Sequence, residues 1–247
     1  MRRKVYRLLD RVAGVLLPPR CLLCGGPGAG RARDLCTACE ADLPWIDAAC
    51  RRCGHPVEAP FVEACARCRD RPQPHRHCHA ALHHEFPAAE LVAALKYQGA
   101  LAHARVLGTL LADSLARHGV RREVELLVPM PLHASRLIER GFNQSLEVAR
   151  FTADGLDVEV DGRALRRLRA TVPQVGLTRP QRADNVRGAF EADPARVAGR
   201  HVALIDDVVT TGATSAAAAR ALLAAGAATV DVWCVTRAAS SDAQANR

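Results

Sequence analysis

The sequence predicts an α/β protein: an open, mostly parallel sheet with flanking helices, preceded by a small Cys₄ zinc-ribbon module. Two observations carry this. Eight of the ten cysteines lie between residues 21 and 68, in four CxxC pairs. From residue 87 onward, helical stretches alternate with apolar runs such as "ELLV", "HVALI" and "TVDVWCV", which suit buried parallel strands joined by helical crossovers. A chain of 247 residues is long enough for one α/β domain plus a small module.

The N-terminal stretch "MRRKVYRLLDRVAGVLLPP" keeps its charges to Arg11, and its apolar run Val12–Leu17 is interrupted by Gly14 and stops at Pro18. That run is too short for a secretory core or a membrane span. Val5, Leu8, Leu9, Val12 and Leu16 fall on one helical face opposite Arg7 and Arg11, so residues 1–20 are expected to form an amphipathic helix packed on its own protein. A membrane-surface role is the alternative. No stable membrane insertion and a cytoplasmic location are expected.

Residues 21–70 carry the pairs Cys21/Cys24, Cys36/Cys39, Cys50/Cys53 and Cys65/Cys68, separated by 11, 10 and 11 residues. The pattern is an internal duplication of CxxC–x₁₁–CxxC. Each CxxC bends into a knuckle that aims two thiolates at one metal, and two knuckles complete a tetrahedral zinc site. Disulfides are the competing reading, disfavoured without a secretion signal. Two structural zinc ions follow, with consecutive knuckles paired; cross-braced pairing is the alternative. Four thiolates leave zinc no open position, so its role is folding rather than catalysis.

"RDRPQPH" then reads as a linker into a third region, residues 76–240. It opens on "HRHCHAALHHEF", whose alternation over residues 77 to 82 suits a strand; its histidines could also hold a metal. Helices are expected at 87–97 and 101–118, a strand at 124–128 and a helix at 143–153. Irregular strands follow at about 157–168, then a loop and short helix over 171–187. A strand at 201–205, a helix at 214–225 closed by Gly226 and a strand at 229–235 complete the chain. Cys234 reads as a small buried apolar residue. With 49% apolar and 4% aromatic residues, the core must consist of Ala, Val and Leu.

Net charge is +8, and among 34 basic residues only Lys4 and Lys96 are lysine. Arginine suits bidentate contacts to phosphate, although a compositional bias explains the count equally well. The more informative stretch is "ALIDDVVTTGAT", residues 203–214. "HVALI" reads as the strand, "DDVVTTGAT" as the loop and "SAAAARALLAAG" as a helix. Amides near Thr211, Gly212 and Ala213, with the hydroxyls of Thr210, Thr211 and Thr214, can surround a monophosphate at a helix N-terminus. Asp206 and Asp207 would repel a bare anion. They suit a ribose 5-phosphate, whose 2′- and 3′-hydroxyls a carboxylate accepts. No GxxxxGK[ST] occurs, so a nucleotide-hydrolase P-loop is excluded.

This stretch resembles the phosphoribosyl pyrophosphate (PRPP) motif of type I phosphoribosyltransferases. With "LKYQG" (95–99), "VPMPLHASRLIERGFNQS" (128–145) and "TVPQVGLTRPQRADNVRGAF" (171–190) behind a cysteine-rich start, nearly the whole chain resembles the ComF family, associated with DNA uptake in natural competence and use of external DNA. The resemblance implies a PRPP-binding, magnesium-dependent phosphoribosyltransferase-like protein. Its pyrophosphate loop is "VPMP", where Pro129 and Pro131 lack amide donors and Met130 would supply the N–H. Arg140, after Arg136 and before Asn143 and Gln144, is a candidate pyrophosphate or acceptor contact; Gly141 permits the turn into a helix opened by Asn143. Residues 163–187 hold seven arginines and one acid, Asp184. Arg166, Arg169, Thr171, Gln174, Arg182 and Asn185 match the family's mobile loop, where arginine stabilises departing pyrophosphate. Lys96 belongs to the family's "LKY" element. The rival reading is a non-catalytic adaptor whose zinc module binds single-stranded DNA or the uptake machinery. Nine Phe, Trp and Tyr residues offer few stacking platforms for that role.

Overall fold

Strands β1 (Cys78–His83), β2 (Leu126–Pro129), β3 (Glu159–Val160), β6 (His201–Val209) and β7 (Thr229–Arg237) form one parallel sheet in the order β1-β7-β6-β2-β3. The computed structural model describes residues 19–29, 34–58, 62–120, 123–170, 185–186 and 188–238. The expected helix over 1–20 and the loop residues Thr171, Gln174 and Arg182 fall outside them, save residues 19 and 20.

Helices α3 (Ala88–Gln98), α4 (Leu101–Arg117) and α6 (Gln144–Leu156) match the expected ones to within three residues. Each buries a helically spaced stripe: Leu91 and Leu95 in α3; Leu107, Leu111 and Leu115 in α4; Val148, Ala149 and Thr152 in α6. Fully burying one such Leu or Val contributes roughly 1.5–3 kcal/mol. The Asn143 side chain accepts from the Ser145 N–H at 3.0 Å and so caps α6. On the opposite face, Val202 and Leu204 of β6 and Val230 and Val232 of β7 pack with Ala218, Ala219 and Leu222 of α8 (Ala213–Ala224). A small antiparallel hairpin, β4 (Leu165–Arg167) and β5 (Phe190–Ala192), joins that core through Leu165 and Phe190. Two short helices, α5 (Ala134–Arg140) and α7 (Pro194–Val197), lack the length for a periodic signal.

By packing the chain divides into two compact units, residues 1–44 and 45–247. The first holds the first two CxxC knuckles and α1 (Thr37–Ala41). The second holds the other two knuckles, α2 (Ala66–Asp70) and the sheet. The sequence placed a linker between the second ribbon and the sheet, yet residues 50–54 are bound into it. Cys78 N–H donates to the Arg51 carbonyl (2.7 Å), and Arg52 donates to the carbonyls of Arg76 (2.8 Å) and Gln73 (3.0 Å).

Three histidines of residues 75–84 make structural contacts in this setting. Nε2 of His75 meets the Arg52 carbonyl at 2.8 Å, His79 pairs with Ser114 at 2.9 Å and His84 with Thr236 at 3.0 Å. Burial, then the charges of His118 and Arg117, holds His79 down to about 3. Among the described residues they form no metal-ligand cluster. Cys234 is fully buried, as expected.

Candidate functional site

All five strands of the sheet are parallel, so their carboxyl ends share one edge, where open α/β sheets bind ligands. The expectation of a strand ending at Ile205 is corrected here. β6 continues to Val209 because the β-branched Val208 and Val209 keep pairing with Thr236 and Arg237 of β7. Asp206 and Asp207 therefore stand on a strand, and adjacent strand residues face opposite sides.

Asp207 is 3% exposed and meets the helices of one face. Its Oδ1 accepts from Nε2 of Gln144 at 3.4 Å, and its Oδ2 pairs with the Lys96 ammonium. Asp206 is also buried; its Oδ1 accepts from the Ser145 hydroxyl (3.3 Å) and the Asp207 N–H (3.0 Å). Burial, then the charge of Asp207, pushes the Asp206 carboxyl well above the ordinary carboxylate range, against the pull of Lys96. On its side the charge of Asp206 reaches Arg167 of β4, whose guanidinium lies over the Phe190 ring at 5.5 Å.

Thr210, Thr211 and Gly212 carry the chain from β6 into α8. Gly212 is its N-cap at φ +80°, a conformation other residues seldom adopt, and has no side chain to cap the helix. The Thr211 hydroxyl accepts weakly from Ala213 N–H at 3.4 Å. The first-turn amides, Ala213 and Thr214 among them, thus head a twelve-residue helix whose dipole favours an anion.

The "VPMP" segment needs a correction. The Met130 N–H donates to the Ile205 carbonyl at 2.8 Å, extending the β2–β6 ladder, and Met130 is buried. Its amide is spent within the sheet and is not the free donor expected for pyrophosphate. Pro129 ends β2 beside Ile205, and the Met130 carbonyl accepts from Asn143 at 3.1 Å. This segment positions the start of α6.

Arg140 donates to Oε1 of Gln144 at 2.6 Å, and its guanidinium lies 5.9 Å from the Tyr97 ring. Through Gln144 it is one residue removed from Asp207. Arg166 is exposed and paired with Glu191 at 2.9 Å, while its strand neighbour Arg167 is partly buried and lies over the Phe190 ring. Arg169 follows the hairpin strand, and Asn185 lies after residues 171–184, which fall outside the described residues. Sequence reasoning missed Ser145, Arg167 and Arg237. Alternation along β4 could have separated Arg166 from Arg167; nothing local marked the others.

Two four-cysteine centres complete the chemistry: Cys21, Cys24, Cys36 and Cys39, and Cys50, Cys53, Cys65 and Cys68. In each the four Sγ atoms lie within 4.8 Å of one another. A Zn–S distance of 2.3 Å implies a tetrahedral edge of about 3.8 Å. Cys24–Cys36 and Cys53–Cys65 each measure 3.8 Å, so the residues fit zinc and consecutive knuckles pair. The Cys65 N–H donates to Cys50 Sγ at 3.2 Å, and Arg67 to Cys53 Sγ at 3.7 Å. At the first centre burial raises the Cys21 thiol, but hydrogen bonds from the backbone of Cys24 and Cys36 outweigh it and bring it to about 6.

Residues 12–80 match the double zinc ribbon domain. A Salmonella typhimurium protein named DNA utilization protein YhgH is 34% identical over 224 residues, covering 90% of this chain and 98% of the relative. Competence protein F of Haemophilus influenzae is 27% identical over 225 residues, covering 89% and 97%. Among solved structures, a glutamine PRPP amidotransferase from B. subtilis overlaps 52% of this chain and 25% of its own, at 23% identity and a TM-score of 0.36. Among the described residues no helix is long and apolar enough to cross a membrane.

Proposed function

The chain belongs to the ComF family of competence and DNA-utilisation proteins, and we propose that it binds PRPP and displaces its pyrophosphate at ribose C1. The observation that carries this reading is the buried pair Asp206 and Asp207 on β6, separated only by Val208 and Val209 from the small-residue turn that heads α8. A 5-phosphate suits the first-turn amides of α8 and the hydroxyls of Thr210, Thr211 and Thr214. The ribose hydroxyls would donate to Asp207, whose orientation Lys96 and Gln144 hold.

In the reaction the C1–O bond to pyrophosphate breaks, its electron pair leaving with the pyrophosphate oxygen, and a ring nitrogen of an acceptor base bonds to C1 as its proton passes to the pyrophosphate or to water. Charge grows on the leaving group, so cations aimed there lower the barrier. Arg140, Arg167 and Arg169 are the candidates, with Arg166 turned to Glu191. Among the described residues Asp206 and Asp207 belong to no three-ligand cluster. Magnesium is usually held by one or two carboxylates together with substrate phosphate oxygens, so it would come with PRPP as part of the substrate. The nature of the relatives suggests that the product or ligand serves the handling of external DNA.

A second reading, an adaptor for single-stranded DNA or uptake proteins, is favoured by the exposure of Phe86 (74%) and Tyr97 (80%), since exposed rings stack on unpaired bases. The deciding assay is calorimetric titration with magnesium and PRPP, followed by pyrophosphate release over a panel of nucleobases. Release with one base supports the transferase. PRPP binding without release from any base leaves a ligand-gated adaptor, and no PRPP binding ends the reading.

A further inference from the structure

Arg237 closes β7 with only 1% of its surface exposed. Among the described residues its guanidinium has no carboxylate within ion-pair distance; it holds four carbonyl groups. Nε donates to Cys53 at 3.0 Å. Nη1 donates to Val209 and Ala238, each at 3.0 Å, and to Thr210. These acceptors belong to two different places. Cys53 is a ligand of the second four-cysteine centre. Val209 and Thr210 are the points at which β6 leaves the sheet for the phosphate-binding turn.

The knuckle is close enough to act through this one side chain. Gly54, next to Cys53, has φ +65°, and a Cβ there would come within 3.0 Å of Cys78 Sγ on β1. Loaded with zinc, four thiolates carry a net charge of −2, which favours a buried guanidinium on the ligand's own carbonyl. Without zinc the knuckle loses both its fixed shape and that ordered charge. The Cys53 carbonyl then no longer fixes the guanidinium, which loosens its hold on Thr210 and leaves the Val209 carbonyl to the Ala238 N–H.

We propose that Arg237 is a positioning residue that makes ligand binding at the 210–214 turn depend on zinc in the second centre. The inference rests on the reading of that turn as a ribose 5-phosphate site. Binding linkage is reciprocal: if zinc strengthens ligand binding by some factor, the ligand strengthens zinc binding by the same factor.

The test uses the full zinc-loaded chain. Ribose 5-phosphate is first titrated calorimetrically, and apparent zinc affinity is then measured by chelator competition with and without saturating ribose 5-phosphate. The sugar phosphate should tighten one of the two zinc ions, about 5- to 150-fold. Arg237→Met should still bind two zinc ions yet lose most of that coupling. Arg237→Lys keeps the charge but cannot span four carbonyls, and should lose it as well. Thermal unfolding identifies variants that have not folded; if neither folds, the parent measurement decides. Equal zinc affinity with and without bound sugar phosphate overturns the inference while the ligand site stands, as does full coupling in a folded Arg237 variant. Absence of ribose 5-phosphate binding to the parent removes the underlying reading and this inference with it.

Discussion

The ammonium of Lys96, in the last turn of α3, rests on Oδ2 of Asp207, deep in β6. One of only two lysines in the chain thus neutralises one of the two acids before the phosphate turn. Removing one partner of a buried pair leaves the other charge uncompensated. Lys96→Met should cost about 2–4 kcal/mol, below the fully buried range because the lysine is partly exposed. Lys96→Met/Asp207→Asn should recover much of that loss, since a neutral amide needs no ammonium. Denaturant unfolding of the four proteins measures this; additive losses would show that the contact carries no energy.

Asp207→Asn should keep inorganic phosphate binding at the α8 amides while losing the preference for ribose 5-phosphate. Competition between the two ligands in parent and variant reads this directly. Equal discrimination in both proteins would remove the ribose assignment.

Asp206 carries a pH-dependent stability prediction. Its folded carboxyl titrates well above the ordinary range, chiefly through burial. The folded state therefore holds a proton that the unfolded chain releases near pH 3.9. Its contribution is fully present below that pH and is lost as pH rises through the folded value. Asp206→Asn removes this slope while its amide oxygen can still accept from Ser145 and Asp207. The variant should be more stable than the parent at pH 7–8, and the gap should close toward pH 4. A gap that widens on acidification would contradict the assignment.

Elemental analysis of protein purified without added metal should give close to two zinc ions per chain. Chelation should release them with loss of the ribbon folds, because zinc supplies on the order of 10 kcal/mol to each such site. Disulfides in place of metal, detected by mass spectrometry, would overturn the zinc assignment.

The hairpin arginines separate by face. Arg167→Ala should reduce pyrophosphate release by about 10²–10³, the cost of one transition-state contact. Arg166→Ala should change it little, because that guanidinium is exposed on Glu191. Arg140→Ala should weaken turnover more than ribose 5-phosphate binding, since that ligand has no pyrophosphate. Equal losses at positions 166 and 167 would place the catalytic charge elsewhere.

Much of this protein was determined by local sequence. The four CxxC knuckles and their intervals follow from the geometry of four thiolates on one metal, while the choice of consecutive over cross-braced pairing came from the Sγ distances of the folded chain. Helices α3, α4 and α6 announce themselves by apolar spacing, and the run "VALIDDVVTTGAT" brings acids, turn and helix start together within thirteen residues. Each of these is a short-range property: a metal, a period or a turn constrains residues that are neighbours in the chain.

What tertiary structure decided lies in contacts across long separations. Asp206 and Asp207 ended up on a strand because β7 continues to pair with β6 beyond Ile205. The Met130 amide was spent because Ile205, seventy-five positions away, presents its carbonyl there. Residues 51 and 52 are tied to the start of the sheet because Arg52 and Cys78 find partners across the expected linker. Arg237 reads in the sequence as one arginine among many, near the end of an apolar strand. Only folding brings Cys53 and Thr210 to the same guanidinium, since a buried charge is satisfied by whatever carbonyls packing places around it and no sequence period encodes that.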